Sequence, residues 1–492
     1  MELKDYRERI DAIDSELVRL FVLRMELSSE IAAYKKAHGL PVLQPAREQE
    51  KLDALSAQVG DDLKAPLREL YAKIFELSRA RQTAALRCGL LGEHLAHSYS
   101  PQLHTLLGGY GYELFEIAPE KLGDFLQSDS FDALNVTIPY KQAVVPYCAA
   151  LSETAREIGS VNTILRRPDG TLFGDNTDYD GFFWLLERNG GVQSGEHAVV
   201  LGDGGASKTV QAVLRRLGAN VTVLSRKGER GFDTLSQYGD AVLLVNATPV
   251  GMYPDNGERL VDLSLLPHCR LVLDLIYNPA RTRLLLDAEA RGIRCENGLA
   301  MLVGQAKRAA ELFTGRDIPD SRCEEILCKL SDQMRNYVLI GMPGCGKSAV
   351  GKLLAEKLGR PFYDADAEIE KDLGCDIPTV FAQAGEAAFR AAETRVLERL
   401  GKGSGCVIAT GGGCVTREEN YPLLRQNGMI VWLRRPLDRL PTDGRPLSQS
   451  TDLSELYEAR KPLYERFCDL AADNDGTPEE AVEAILNGGN PK

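Results

Sequence analysis

Glycine is almost missing from the first 86 residues: only Gly39 and Gly60 fall there, out of 46 in the whole chain. A segment so poor in turn-formers excludes a loop-rich or mixed unit and leaves an all-helical one. Long apolar runs are missing too. No stretch approaches the roughly 20 residues needed to span a bilayer. The opening residues, MELKDYRERIDAID, are charged and hold nothing resembling an export signal. Cations are in deficit, with 58 Lys and Arg against 71 Asp and Glu and a net charge of −13. That excludes the broadly basic face of a nucleic-acid binder, yet a few clustered cations can still hold small anions. Paired cysteine spacing is absent, and the eleven scattered cysteines read as free thiols of a cytoplasmic chain. His94 and His97 stand three apart without ligating neighbours, so no metal is assigned to them.

What the chain has is length and changes of texture. At 492 residues it exceeds a single hydrophobic core, and its 44% hydrophobic and 26% charged residues are those of an ordinary globular protein. After residue 86 glycines become frequent and strand-like and helix-like stretches alternate. A second boundary lies near Asp320 to Gln333, after a helical pattern around Ala306–Phe313 and before the strand Tyr337–Ile340. Three modules are expected: an all-α one over residues 1–86, a two-part α/β one over 87–320, and an α/β one with a parallel sheet over 335–492.

In the first module Leu3, Tyr6, Ile10, Ile13, Leu17, Leu20, Arg24, Leu27, Ile31 and Tyr34 follow one another in alternating steps of three and four. The spacing draws a coiled-coil-like seam along a helix of about ten turns. Two further short helices cannot cover it, so a second copy of the chain is expected there. Arg24 interrupts the seam, and Lys35, eleven residues on, points nearly the same way. Arg7 points about 100° away and is expected to serve a site across a subunit boundary. Arg47 and Glu48 open a second helix, while Ser78 and Gln82 share a face of the third. Several fixed cations with few acids suit a dianion. Through these seven residues the module resembles the all-helical chorismate mutases over essentially its full length. The resemblance implies that Arg7, Arg24 and Arg47 hold the carboxylates of chorismate and that Ser78 contacts it. Lys35 and Gln82 would donate to the ether oxygen, and Glu48 would receive the hydroxyl. Rearrangement to prephenate is pericyclic, so preorganised charge carries the rate without a nucleophile. Gln44 stands where the best-known members have an acid. A non-catalytic dimerisation or ligand-sensing module is the alternative.

In the second module the apolar strand His197–Leu201 runs into Gly202-Asp203-Gly204-Gly205-Ala206-Ser207, an amphipathic helix and a second strand, Asn220 to Leu224. That order is a Rossmann dinucleotide site, spanning about residues 190–298, whose glycine turn and helix N-terminus receive a pyrophosphate. The second strand ends in Ser225-Arg226-Lys227, where an NAD site would present an acid. A hydroxyl and two cations suit the 2′-phosphate of NADP. Six motifs then occur in order: His97-Ser98-Tyr99-Ser100-Pro101, Asn135 to Lys141, Val161-Asn162-Thr163, Gly174 to Asp178, Asn246-Ala247-Thr248 and Gly304-Gln305. With them the module resembles the shikimate dehydrogenases from Gly89 to about Phe313, with a substrate part over about 87–185 plus C-terminal helices. The resemblance implies that Ser98, Ser100, Thr137, Asn162, Tyr277 and Gln305 bind shikimate, and that Asn246 and Thr248 contact NADP. Lys141 and Asp178 would be the catalytic pair, since ketone reduction needs a proton on oxygen. A purely structural salt bridge is the bland alternative for that pair. Asp203 replaces a small residue usual in the glycine turn.

The third module opens with Gly341-Met342-Pro343-Gly344-Cys345-Gly346-Lys347-Ser348-Ala349, which fits the G-x4-G-K-S phosphate loop after a strand. Its amides cradle the phosphates of ATP, Lys347 reaches the terminal ones, and Ser348 supports Mg²⁺. Asp364-Ala365-Asp366, Phe389-Arg390 after a Gly-Glu turn, Gly411-Gly412-Gly413, Arg445-Pro446-Leu447 and Arg460 with Pro462-Leu463-Tyr464 make the module resemble the shikimate kinases throughout. The resemblance implies that Arg390 and Arg460 clamp the shikimate carboxylate beside the three glycines, and that Asp366 activates the attacking hydroxyl. Asp364 would support Mg²⁺ through water, and Arg445 would close over ATP. The lid between Trp432 and Arg445 is several residues shorter than in typical members, which bears on turnover. The expected protein is a cytoplasmic homodimer acting on chorismate, 3-dehydroshikimate and shikimate, with no nucleic-acid or membrane partner.

Overall fold

The computed structural model describes residues 3–38, 45–83, 86–95, 98–440 and 453–488. Gln44, His97 and Arg445 lie outside the described residues, as do positions 441–452 of the expected lid and the side chain of Gln82. The chain packs as two bodies. The first comprises Met1–Glu196, Asp203–Val221 and Ala300–Ile326, and the second His197–Gly202, Thr222–Leu299 and Leu327–Lys492. No described helix is long and apolar enough to cross a membrane.

The first body opens with α1 (Leu3–His38), α2 (Pro45–Ser56) and α3 (Asp61–Thr83), helical as the dearth of glycine requires. α3 packs against both others, burying Phe75 and Ser78. The seam of α1 is not covered by the described residues: Leu3, Ile13, Leu17 and Leu27 are 54–66% exposed. A six-stranded sheet follows, with strands β1 (Arg87–Gly92), β2 (Gly111–Glu116), β3 (Ala133–Val136), β4 (Cys148–Leu151), β5 (Thr163–Arg166) and β6 (Leu172–Asp175) in the order β2-β1-β3-β5-β6-β4. β5 is antiparallel to both β3 and β6. Its beginning therefore lies at the edge where β3 and β6 end.

Five strands, β7 (His197–Leu201), β8 (Asn220–Leu224), β9 (Leu243–Asn246), β10 (Leu271–Asp274) and β11 (Arg294–Asn297), form a second sheet ordered β11-β10-β9-β7-β8. The third sheet holds β12 (Asn336–Ile340), β13 (Phe362–Asp364), β14 (Val407–Ala409), β15 (Gly428–Arg434) and β16 (Leu470–Asp473), all parallel, in the order β13-β14-β12-β15-β16. Burial on both faces is why such strands read as continuous apolar runs: Val338, Leu339, Ile340, Val407, Ile408 and Val431 have no exposed surface. The stretch from Asp320 to Gln333, expected to separate modules, is a helix, Asp320–Met334. Cys323, Ile326, Leu327, Leu330 and Met334 recur at helical spacing on its buried face. The Gly-Glu turn expected before Phe389 is a kink at Gly385 (φ 79°) inside the helix Ile377–Lys402.

Asp274 ends β10 with no exposed surface. Thr282 donates to its Oδ2 at 2.6 Å, and Asn246 Nδ2 and the Ile276 amide donate to its Oδ1 at 3.0 and 3.1 Å. Burial outweighs these donors and pushes the carboxyl up to about 6 from its ordinary 3.8. The folded chain then holds this proton more tightly than the unfolded one. The resulting stabilisation is fully present below 3.8 and is lost as pH rises towards 6, an effect of at most about 3 kcal/mol. Urea unfolding at pH 4 and pH 6.5 should show wild-type stability falling relative to Asp274→Asn. A constant difference between the two proteins would refute the account.

Candidate active sites

The helical site forms between α1 and α3. Arg24 donates from Nη1 to Ser78 Oγ, and its guanidinium lies 5.6 Å from the centroid of the Phe75 ring. Burial lowers the pKa of Arg24 and of Lys35, and Glu48 acts against both shifts. Glu48 is itself gripped by Arg79, whose Nη1 reaches Oε1 at 2.6 Å and Oε2 at 2.5 Å. Arg24, Lys35, Glu48 and Ser78 thus come together. Arg79 was not read from the sequence, although it follows Ser78 directly. Arg47 does not join them. One residue from Glu48, it is rotated about 100° around α2, and its 68%-exposed side chain pairs with Glu50 at 2.7 Å. Arg7 lies exposed, about 25 Å from Arg24 along the helix axis.

In the first sheet the reversal of β5 sets the second site. Lys141 lies five residues past β3, Asp178 three past β6, and Asn162 immediately before β5. All three meet at one edge. Lys141 Nζ reaches Asp178 Oδ2 at 2.6 Å, while Asn162 Nδ2 donates to Asp178 Oδ1 at 2.9 Å. Asn162 Oδ1 accepts from the Thr177 amide at 2.7 Å and from Thr163 Oγ1 at 3.0 Å. The carboxylate is therefore fixed from both sides, with its orienting amide fixed in turn. Thr163 and Thr177 were not assigned to a site from sequence, because their contribution passes through Asn162. The Ser100 amide donates to Ser98 Oγ at 3.2 Å, and the Thr137 amide to Leu91 O at 2.9 Å. Gln305 lies on the helix Leu299–Thr314, whose backbone approaches the helix Asp178–Glu187 closely. A Cβ added to Gly181 would lie 2.5 Å from Met301 O and 2.9 Å from the Gln305 amide nitrogen.

The dinucleotide motifs follow the strand ends. Gly202 (φ 105°) leaves β7, and a Cβ there would lie 2.9 Å from Thr248 Cγ2 and 3.1 Å from Ala247 O. A side chain would separate the two motifs. Asn246 Oδ1 accepts from the Thr248 amide at 3.0 Å and from its hydroxyl at 2.7 Å. A Cβ at Gly204 or Gly205 would meet no described atom within 4 Å, which leaves the start of the helix Gly205–Arg216, with Ala206 in its first turn, open to an anion. Ser225 is buried past the end of β8, and Arg226 and Lys227 are exposed beside it. Tyr277 belongs to the second body, three residues past Asp274.

The third site is a cavity of about 420 Å³ at the carboxyl ends of β12, β13 and β14. Gly341, Gly344 and Gly346 take φ of 144°, 84° and 100°, which folds the loop into a cradle that L-residues resist. Asn474, unassigned from sequence, steadies it by donating to Cys345 O at 2.7 Å. Lys347 Nζ rests on Gly341 O at 2.9 Å and Met342 O at 3.0 Å. Ser348 Oγ donates to Asp364 Oδ2 at 2.5 Å, and Asp364 Oδ1 caps the helix Ala365–Leu373 through the Asp366 amide. This hydroxyl–carboxylate pair beside the cradle has the hard oxygen donors that Mg²⁺ takes.

Opposite lie Arg390 and Arg460. Arg390 Nη1 pairs with Glu393 Oε2 at 2.8 Å, and Arg460 Nη1 donates to Gly412 O at 3.2 Å. Tyr464 OH donates to Gly412 O at 2.5 Å. Two buried acceptors, Asp366 Oδ1 and Glu393 Oε1, have no hydrogen-bond partner among the described residues. Both converge on Gly411, where a Cβ would lie 2.9 and 2.7 Å from them. Burial holds both carboxyls above their usual range. Glu393 was missed in the sequence, where its one signal is its place three residues after Arg390 on a helix.

Three segments of the chain match models of known families. Residues 6–83 match the model for chorismate mutase type II, residues 90–164 that for the shikimate dehydrogenase substrate binding domain, and residues 343–488 that for shikimate kinase. A shikimate dehydrogenase (NADP(+)) from Oleidesulfovibrio alaskensis is 39% identical over 266 residues, which cover 49% of this chain and 93% of that protein. One from Pyrococcus abyssi is 40% identical over 248 residues, covering 46% and 91%. A solved chorismate mutase/shikimate 5-dehydrogenase fusion protein from Clostridium acetobutylicum has 38% identity, covers 49% of this chain and 96% of its own, and has a TM-score of 0.47. The chain belongs to the shikimate dehydrogenase family, and it carries a chorismate mutase domain ahead of that enzyme and a shikimate kinase domain behind it.

Proposed function

We propose that the chain converts chorismate to prephenate, reduces 3-dehydroshikimate to shikimate with NADPH, and phosphorylates shikimate to shikimate 3-phosphate with ATP. The observation that carries the reading is Asp178, held between Lys141 and Asn162 at 2.6 and 2.9 Å. A carboxylate fixed on both oxygens holds the ammonium of Lys141 in a set direction, so Lys141 protonates the nascent alkoxide. Ser98, Ser100, Thr137, Asn162, Tyr277 and Gln305 hold the carboxylate and hydroxyls. Gly202, Gly204, Gly205, Ala206, Asn246 and Thr248 would hold NADP(H), with Ser225, Arg226 and Lys227 on its 2′-phosphate. When bound, it supplies the hydride.

In the kinase, the unpartnered Asp366 oxygen takes the proton of the attacking hydroxyl. Its raised pKa brings it closer to that of an effective general base. Arg390 and Arg460 hold the shikimate carboxylate, and Gly411, Gly412 and Gly413 let it come close. Gly341, Gly344, Cys345, Gly346 and Ala349 bind ATP, with Lys347 neutralising charge on the transferred group and Arg445 closing the site. Ser348 and Asp364 would hold Mg²⁺, which screens the phosphates when bound.

In the mutase, Arg24 holds a carboxylate, Ser78 contacts the substrate, Lys35 and Gln82 donate to the ether oxygen, and Glu48 accepts the hydroxyl. Arg7 comes from a second copy lying on the exposed seam of α1. The protein is a cytoplasmic homodimer without a nucleic-acid partner. The alternative, a non-catalytic N-terminal module, draws on the outward pairing of Arg47 with Glu50. Chorismate consumption by the full chain, abolished in Lys35→Ala, would exclude it.

Lys141→Ala should lower dehydrogenase kcat by about 10²-fold or more and leave kinase constants unchanged; a comparable kinase loss would sink the separation of the two chemistries. Arg226→Ala should raise KM for NADP roughly tenfold with little effect on KM for NAD. Equal effects on the two cofactors would mean the end of β8 does not read the 2′-phosphate. Removal of residues 1–86 should yield a monomer by light scattering with dehydrogenase and kinase active. A truncated protein that stays dimeric, or a monomeric full chain, would overturn the role of the seam.

A further inference from the structure

In the second body the kinase domain is joined to the NADP domain by a group of buried polar contacts. Gln426 and Asn427, between the helix Asn420–Arg425 and β15, are only 2% and 3% exposed. Asn427 Oδ1 accepts from the Ala280 amide at 2.8 Å, and its Nδ2 donates to Tyr253 OH at 2.8 Å, Gly403 O at 3.1 Å and Gly401 O at 3.2 Å. Gln426 O accepts from the Arg281 amide at 2.8 Å, and Asn256 Nδ2 donates to Gln426 Oε1. Arg281 Nη1 reaches Arg425 O at 3.3 Å, and Arg425 pairs with Glu289 at 3.4 Å. Buried amides of this kind lose hydrogen bonds on one side if the partner loop moves, which resists movement.

The residues gripped are significant. Tyr253 lies five positions after Thr248, and Ala280 and Arg281 lie three and four after Tyr277. Within the NADP domain both loops are already tied to Asp274, through Asn246 and Thr282. They also touch each other, because a Cβ at Gly251 would lie 3.2 Å from Thr282 Cβ. The kinase holds the same two loops from outside. Its own catalytic cavity is at the other end of β15, where a Cβ at Gly341 would meet Leu433 O.

We propose that the Gln426–Asn427 turn of the kinase domain is a brace that positions the cofactor and substrate loops of the dehydrogenase, with Asn427 as its central positioning residue. The proposal rests on the assignment of Thr248 to NADP(H) and Tyr277 to shikimate. The dependence runs one way: dehydrogenase binding needs the kinase domain, and phosphoryl transfer does not need the brace.

The test is steady-state kinetics of both activities in the full chain. Asn427→Ala should raise dehydrogenase KM for NADP and shikimate roughly five- to tenfold, with kcat and both kinase constants within about twofold. A merely structural role lowers the folded fraction, and so apparent kcat, while leaving KM unchanged; that result overturns the brace. Tyr253→Phe serves as a second variant, because Asn427 keeps its bonds to Gly401 and Gly403. It should raise the same KM values, and the double variant should be no worse than Asn427→Ala. Multiplying effects would show the two residues act separately and would overturn the direct link. A wild-type chain without dehydrogenase activity would instead overturn the dehydrogenase reading on which the proposal stands.

Discussion

Parallel strands all end at the same edge of their sheet, and the side chains that follow them are gathered there with no further design. This constraint places the kinase cavity over the ends of β12, β13 and β14, and the NADP motifs over the ends of β7, β8 and β9. The substrate sheet meets the same requirement differently. Because β5 runs antiparallel, Asn162 at its beginning joins Lys141 and Asp178 beyond the ends of its two neighbours. Without that reversal the amide that orients Asp178 would lie at the opposite edge of the sheet.

Buried and half-buried carboxylates then separate into two kinds. Asp178 and Asp274 have donors on both oxygens, and each holds separate segments of chain in register. Asp366 and Glu393 each keep one oxygen without a donor among the described residues. An unsatisfied buried acceptor costs about 1–3 kcal/mol, and two of them converge on Gly411. The helical site uses the inverse arrangement. Burial weakens the hold of Arg24 and Lys35 on their protons, and Glu48 opposes that shift.

Within the second body, what joins the NADP core to the kinase is visible at Asn427. Module boundaries in a sequence are drawn where glycine content and hydrophobic period change. Packing follows buried contacts instead. The amides of Asn427 and Gln426 satisfy backbone and side-chain groups some 150 residues away, so the NADP core and the kinase belong to one body.

Local patterns determined a large part of this protein. The helical first module, the strand–glycine–helix units at Gly202 and Gly341, and the apolar strands around them follow from spacing that a short window of residues contains. Lys141, Asp178, Asp366, Arg390 and Arg460 were legible because each stands inside a contiguous motif. Arg79, Glu393, Asn474, Asp274 and Asn427 were not, since their significance is a partner brought near by folding. The helix Asp320–Met334 is legible in its apolar period. The outward turn of Arg47 onto Glu50 was decided by tertiary structure, because only the packing of α2 against α3 selects which of two adjacent residues faces the site. A sequence fixes the period of an element and the chemistry of its side chains; the choice among faces and partners is made by burial, which depends on the whole chain at once.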